Sequence, residues 1–150
     1  MKKNLKPSTF VLILTSIQVL MILFLIVNMF LSILYMPHWL GAILIILLGY
    51  FLIKMPVSIF VDADTITVNQ LVGNVKFDRR MCIVRKLKDT ETKSIVRVFG
   101  SGGMGGYTGY FANAALGSFK MYAVSTKNLC LITDSQQKKY VINLPEGIEI

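Results

Sequence analysis

One apolar stretch constrains this chain more than any other feature: residues 7–53 contain no Asp, Glu, Lys or Arg. A helix needs about 20 apolar residues, at about 1.5 Å rise each, to cross the hydrocarbon core of a bilayer. The stretch is therefore too long for one soluble core helix and long enough to cross twice. It is interrupted at residues 35–39, where a proline stands among aromatic residues that favour membrane interfaces. The sequence predicts a transmembrane helical hairpin over residues 9–55, with helices at about 9–35 and 37–55.

The N-terminal segment, residues 1–8, carries the positive charge that also opens a secretory signal peptide. However, the apolar stretch continues far beyond the 7–15 residues of a signal's apolar region, and no small-x-small cleavage motif follows it. We therefore expect this basic tail to stay attached to the hairpin.

Basic residues flank both ends of the predicted hairpin, whereas its turn carries only His38. Loops rich in Lys and Arg stay in the cytoplasm. Both termini are therefore expected on the cytoplasmic side of the membrane. The flanking basic residues are Lys2, Lys3 and Lys6 before the hairpin, and Lys54, Lys76, Arg79 and Arg80 after it.

Polar residues interrupt the first predicted helix at Thr15, Gln18, Asn28 and Ser32, within one sector of its surface. They form either a polar track for a solute or hydrogen-bonding contacts that hold helices together. None of the four is ionisable, which favours helix packing, with Gln18 and Asn28 as the main contacts. The alternative is a small transporter or channel component in which the hairpin oligomerises around the polar sector.

After residue 55 the pattern changes from continuous apolar to alternating, which is typical of strands with one buried face. Residues 56–150 are enough for one small core and not for two. Short strands separated by polar turns predict a small antiparallel barrel or sandwich. The predicted strands are 57–61, 65–69, 75–77, 81–85, 94–99, 120–124, 129–133 and 139–142.

A glycine-rich insert, residues 99–118, contains no charged residue. Its glycines fit the pattern G-x-G-x-x-G, but dinucleotide binding also needs a following helix and an acidic residue about 20 positions on. Both are missing, so no nucleotide is expected. Two interpretations stay open: a loop folded under the barrel, or a loop that enters the membrane interface. The candidate contact residues are Phe99, Tyr107, Tyr110 and Phe111.

No group of residues predicts catalysis or metal binding. His38 is the only histidine, and the carboxylates are scattered over turns, so neither a catalytic triad nor a multi-histidine metal site is available. Cys82 and Cys130 stand in predicted strands and are expected to be reduced structural thiols. We expect no enzyme activity, no cofactor and no metal.

A concentration of basic residues after the hairpin is either a solvated strand face or a contact surface for anionic lipid headgroups. Nucleic acid is not favoured as a partner, because aromatic stacking residues are not interleaved with these charges. The candidate headgroup contacts are Lys54, Lys76, Arg79, Arg80, Arg85, Lys86 and Lys88.

The insert and the strands after it resemble the membrane-anchored bacterial pleckstrin-homology (PH)-like domain proteins. The resemblance is carried by an FG-x-GG…GY-x-GYF segment at 99–111, the strand 119–124, and the S-x-KN turn and apolar strand at 125–132. It implies a split barrel of two antiparallel sheets, plugged at one end by a C-terminal helix. Residues 143–150 are too few for that helix, so the plug is expected to be missing. The loop 70–74 lacks the basic residues with which eukaryotic relatives grip phosphoinositides.

Together these features predict a non-enzymatic integral protein of the bacterial inner membrane. Its PH-like domain would serve protein interaction or self-assembly, so the expected partners are the lipid bilayer and either further copies of the chain or another membrane protein. Self-association would use Tyr110 and Phe111 as anchors. Besides the transporter component, a module that binds anionic lipid is the remaining alternative.

Overall fold

The structure, a computed structural model, describes residues 2–31 and 37–144. Two helices come first: α1 spans Thr9–Leu31 and α2 spans His38–Ile53. The side chain of Ser8 caps α1 by accepting a hydrogen bond from the Val11 N–H at 3.3 Å. Pro56 follows the end of α2, and a proline cannot donate the hydrogen bond that would continue a helix. Ser32 and residues 35 and 36 of the predicted turn at 35–39 lie outside the described residues.

The two helices pack along a narrow seam and leave the rest of their apolar surface exposed. The buried positions on α1 recur at intervals of seven and three residues: Val11, Gln18, Leu25 and Asn28. Such spacing places them on one face. Helices that are apolar on all sides need lipid or protein around them. In the described chain, α1 alone is long and apolar enough to cross a membrane, and α2 is shorter.

Ten strands complete the fold. They are β1 (Lys2–Asn4), β2 (Pro56–Val61), β3 (Thr65–Gln70), β4 (Asn74–Asp78), β5 (Cys82–Lys86), β6 (Val96–Gly103), β7 (Gly106–Asn113), β8 (Gly117–Ala123), β9 (Leu129–Asp134) and β10 (Lys139–Asn143). One sheet has the order β1-β2-β3-β4, and a six-stranded sheet has the order β5-β9-β10-β8-β7-β6. The predicted strands coincide with observed ones, but β7 and most of β6 lie in the insert that was predicted to be a loop.

The larger sheet is mixed, which corrects the prediction of a purely antiparallel domain. Strand β10 lies between β8 and β9; it runs antiparallel to β9 but parallel to β8, with Tyr140 opposite Lys120. Every other strand pair in the described chain is antiparallel. The two sheets pack against each other without closing into one continuous barrel.

Each face of the six-stranded sheet carries a hydrophobic core. Because side chains alternate along a strand, neighbouring residues of β9 belong to different cores: Leu131 to one and Ile132 to the other. The core between the sheets consists of Ile59, Ile66, Val68, Phe77, Cys130, Ile132 and Ile142. The second core consists of Leu87, Phe111, Leu116, Phe119, Met121, Ala123, Leu129, Leu131 and Val141.

The basic tail is part of the domain and not a free extension. Lys3 lies opposite Ile59 in the antiparallel pairing of β1 with β2, and the Leu5 N–H donates to the Val57 carbonyl at 2.9 Å. The segment predicted as a separate tail at 1–8 therefore adds a strand to the domain predicted at 56–150, since the chain enters the sheet before it enters α1. The predicted absence of a C-terminal helix falls on residues 145–150, outside the described residues.

Candidate functional site

Buried polar side chains lie at the contact between α1 and α2. The side-chain amide of Gln18 donates to the carbonyl of Leu48 at 2.5 Å, which fixes how the two helices are paired. Its Oε1 lacks a partner among the described residues. Asn28 is buried on the same seam. Both residues thus lie where the sequence placed helix-packing contacts, and their role inside a membrane stays a prediction.

The tip of the β6–β7 hairpin, residues 103–106, is wedged between the two helices. The Gly105 N–H donates to the hydroxyl of Thr15 at 3.0 Å. That hydroxyl itself donates to the carbonyl of Val11 at 2.7 Å, one turn earlier in α1. The tip therefore reaches a level six residues inside α1. The glycine-rich insert therefore forms a hairpin against the helices, which corrects the interpretation as a loop folded under the barrel, and its entry into the membrane interface stays a prediction.

The glycines at this tip are explained by the close approach of the tip backbone to the two helices. A Cβ on Gly105 would lie 2.5 Å from the carbonyl oxygen of Phe51, and Gly105 has a φ of +64° that L-residues rarely adopt. A Cβ on Gly103 would lie 2.5 Å from Cδ1 of Leu14. At Gly105 the backbone of the tip therefore approaches the backbone of α2 too closely for a side chain.

A second attachment joins the β3–β4 turn to the end of α2. The Leu71 N–H donates to the Met55 carbonyl and the Val72 N–H to the Ile53 carbonyl, both at 2.9 Å. The side chain of Gln70 donates to the carbonyl of Lys54 at 3.1 Å. These bonds satisfy carbonyls at the helix end, which otherwise lack partners. Leu71 and Val72 remain 61% and 57% exposed beside the helix end.

A groove of about 300 Å³ lies beside this junction, between α2 and strands of both sheets. Aromatic rings from α2, β6, β7 and β8 form much of its wall, and two lysines reach it. Among the described residues that line it, none carries a carboxylate. The lining comprises Tyr50, Phe51, Lys54, Gln70, Asn74, Val75, Phe99, Gly100, Thr108, Gly109, Tyr110, Lys120 and Tyr122.

Lys120 and Tyr110 form a fixed pair in this groove. They are opposite each other in the β7–β8 register, and the Lys120 ammonium lies 4.9 Å from the centre of the Tyr110 ring. A hydrogen bond with the Tyr110 side chain is the main cause that raises the pKa of Lys120 above its ordinary value. Burial raises the pKa of Tyr122. At neutral pH the groove therefore holds a charged lysine at position 120.

The structure separates the four predicted aromatic contacts into two pairs. Phe99, which is 72% exposed, and Tyr110 line the groove. Phe111 is only 3% exposed and stacks on Phe119 at 6.4 Å. Tyr107 packs against the same core. The expectation that Phe111 is an interface anchor is therefore wrong, because alternation along β7 turns it into the core.

The seven predicted headgroup contacts do not share one surface. Lys54 lines the groove, whereas Arg79 and Arg80 lie at the far end of β4, where the side chains contact the Asp62 carbonyl and, at 3.1 Å, the Asp64 carboxylate. Asp62 and Asp64 belong to the turn that follows β2, at the end of β2 that lies away from α2. Arg79 and Arg80 therefore lie apart from Lys54 and the end of α2, and their contact with lipid headgroups stays a prediction.

The remaining predicted headgroup contacts lie on β4, on β5 and just after β5. Three of these residues have exposed side chains: Lys76, Lys86 and Lys88. Arg85 is engaged by Glu91 at 2.6 Å, and this bond, together with the Lys88 N–H, lowers the pKa of Glu91 to about 2. That ion pair holds the β5–β6 loop and leaves Arg85 less available to a lipid.

Lys120 is one of the groove residues that sequence reasoning missed, and it is a charged one. In the sequence it is a single cation at the start of a predicted strand, and only the pairing of β7 with β8 brings it to Tyr110. No cluster of His, Cys, Asp or Glu suited to a metal occurs in the described part of the chain.

The described chain thus consists of two packed sheets, the larger with one parallel pair of strands, attached to a pair of helices. The chain belongs to the bacterial PH domain family, which it matches over residues 57–149. This confirms the resemblance seen in the sequence. Searches of curated proteins and of solved structures gave no match.

Proposed function

We propose that this protein is a non-catalytic integral membrane protein that holds its bacterial PH-like domain rigidly at the cytoplasmic membrane face for interaction with lipid or protein. A PH-like domain is an interaction module, and the helices decide where it acts. The observation that carries this proposal is the wedge of Gly105 against Thr15, which fixes the domain to the helices at 3.0 Å.

The length of α1 supports one membrane span, and α2 is short for a second one. At about 1.5 Å per residue, the 23 residues of α1 extend for about 35 Å. The 16 residues of α2 extend for about 24 Å, less than the hydrocarbon thickness of about 30 Å. Local thinning of the bilayer and the long side chain of Lys54 at the end of α2 can accommodate this difference.

The pairing of β1 with β2 supports the same topology. Strand β1 precedes α1 and β2 follows α2, yet Lys2 lies opposite Phe60 in one sheet. Both strands are therefore on the same side of any membrane that α1 crosses. A chain that leaves through α1 must return through α2. The basic residues around the helix ends favour the cytoplasm as that side.

Self-assembly is the second candidate function, and the edge strand β6 favours it. Val96, Val98 and Phe99 are all exposed on this strand, whose outer edge has no partner strand in the described chain. Exposed apolar edge strands are sites of pairing with another chain. Cross-linking in native membranes, compared between the wild type and Val98→Ser with Phe99→Ser, tests this candidate.

The membrane topology is tested with single cysteines in a background of Cys82→Ser and Cys130→Ala. A cysteine at position 38 should react with an impermeant thiol reagent added outside intact cells. The matched position is Lys138→Cys in the exposed β9–β10 turn, which should react only after the membrane is opened. Protection at position 38 together with reaction at position 138 would show that the orientation is reversed.

A further inference from the structure

Two lysines line the groove. Lys54 ends α2, Lys120 lies on β8, and both line the same cavity of about 300 Å³. The carbonyls of Ile53, Lys54 and Met55 accept hydrogen bonds from the β3–β4 turn, so the negative end of the helix is already occupied. The charge presented to the groove is therefore that of the lysines.

In the proposed bilayer, the groove lies at the depth of the lipid headgroups. Tyr50 and Phe51 lie in the last turn of α2, and Lys54 follows directly. Tyrosine and lysine are residue types that favour the headgroup region. The cavity volume is at the lower end of the range for ligand sites, which suits a headgroup and not a whole lipid.

An apolar track leads from the groove along α2. Ile43, Ile46, Leu47 and Tyr50 are each at least half exposed. Their spacing of three and four residues places them on one face of the helix. This face continues from the groove in the direction of the proposed bilayer core, so a ligand seated between the lysines can lay a hydrocarbon chain along it. A soluble anion would make no use of this track.

We propose that the groove binds the phosphate of an anionic glycerophospholipid, with Lys54 and Lys120 around the phosphate and the acyl chains along the exposed face of α2. This proposal rests on the membrane insertion of the helices proposed above. The glycerol region contacts the rings of Tyr50, Tyr110 and Phe99.

The test compares lipid retention by the full chain in mixed nanodiscs of phosphatidylglycerol and phosphatidylcholine, measured by native mass spectrometry. The double variant Lys54→Gln with Lys120→Gln should retain phosphatidylglycerol about thirtyfold less, since each lysine near a membrane surface contributes about fivefold. The control, Arg79→Gln with Arg80→Gln, removes the same charge at the far end of β4 and should retain it like the wild type. Lys54→Arg with Lys120→Arg should restore retention.

Two results would overturn the proposal: equal retention by the lysine variant and the wild type, or displacement of the lipid by millimolar inorganic phosphate, which would assign the groove to a soluble anion. Thermal unfolding of each variant separates loss of binding from loss of fold. Resistance of the wild type to alkaline carbonate extraction is measured in parallel. A protein that is extracted contradicts membrane insertion itself, whereas an inserted protein without lipid preference contradicts only the groove assignment.

Discussion

Replacement of Gly105 by alanine tests whether the glycine-rich tip holds the domain on the helices. Gly105 combines a positive φ of +64° with a position where a Cβ would lie 2.5 Å from the Phe51 carbonyl oxygen. Gly117 has a similar φ of +70°, but no atom lies within 4 Å of its Cβ position. Gly117→Ala is therefore a matched control that carries the backbone strain without the clash.

The expected loss in the free energy of unfolding has two contributions, one from the left-handed backbone conformation and one from the clash. A left-handed conformation costs an L-residue about 1–2 kcal/mol, so Gly117→Ala should lower the free energy of unfolding by about that amount. Overpacking against a backbone atom that cannot move freely adds about 1–3 kcal/mol. Gly105→Ala should therefore be less stable than the control by about 1–3 kcal/mol. For a domain of this size the midpoint of thermal unfolding should lie at least about 4 °C below that of the control.

Hydrogen exchange measured by mass spectrometry shows where the loss occurs. In Gly105→Ala, peptides covering residues 101–107 should exchange faster, because the bond from the residue 105 N–H to Thr15 is broken. Peptides from β9 and β10 should keep their protection, since the core lies away from the tip. Equal exchange of the tip peptides in Gly105→Ala and Gly117→Ala would refute the view that this contact holds the domain in place.

Two further predictions concern the helix seam and the thiols. Gln18→Leu combined with Asn28→Leu should change the free energy of unfolding by no more than about 1 kcal/mol, because hydrogen bonds between helices in membranes average about 0.6 kcal/mol. If the wild type carries a solute flux in liposomes and this variant does not, that result would instead favour a transporter. Burial raises the pKa of Cys130 to about 11, so its thiolate is scarce below that pH, and mass spectrometry should find it unmodified by maleimide at pH 8 until the protein unfolds. The pKa of the half-buried Cys82 is also raised, chiefly by burial, so it should react slowly in the folded state; modification of Cys130 as fast as a free cysteine would contradict its burial.

Sequence patterns predicted those elements whose formation depends on local periodicity. The absence of charge over 7–53 indicated the helices, and the alternation in segments such as 65–69 indicated strands, because both signals are set by which faces are buried. The same alternation would have placed Phe111 in the core if the insert had been recognised as strands. It was not, because glycine has a low intrinsic preference for strands and tertiary contacts decide its structure there.

Features that depend on pairing between distant segments could not be predicted. The parallel alignment of β10 with β8 requires a third strand, β9, to pair on the other side of β10, and no local signal specifies that order. The pairing of the basic tail with β2 is similar, since three residues of tail carry no strand pattern of their own. The groove also depends on distant pairing, because Lys54 and Lys120 are brought together only by the docking of the domain on α2.

The way the domain is attached bears directly on what it can recognise. A PH-like domain on a flexible linker would sample many orientations and lose conformational freedom whenever it bound a membrane component. Here Leu71 and Val72 bond to the end of α2, Gly105 bonds to α1, and the Ser8 N–H donates to the Val124 carbonyl at 3.0 Å. These contacts fix the orientation of the groove before any ligand arrives, and such preorganisation lowers the entropic cost of binding. A groove built from α2 and strands of both sheets therefore keeps one orientation relative to the helices, and it exists only while the domain stays docked.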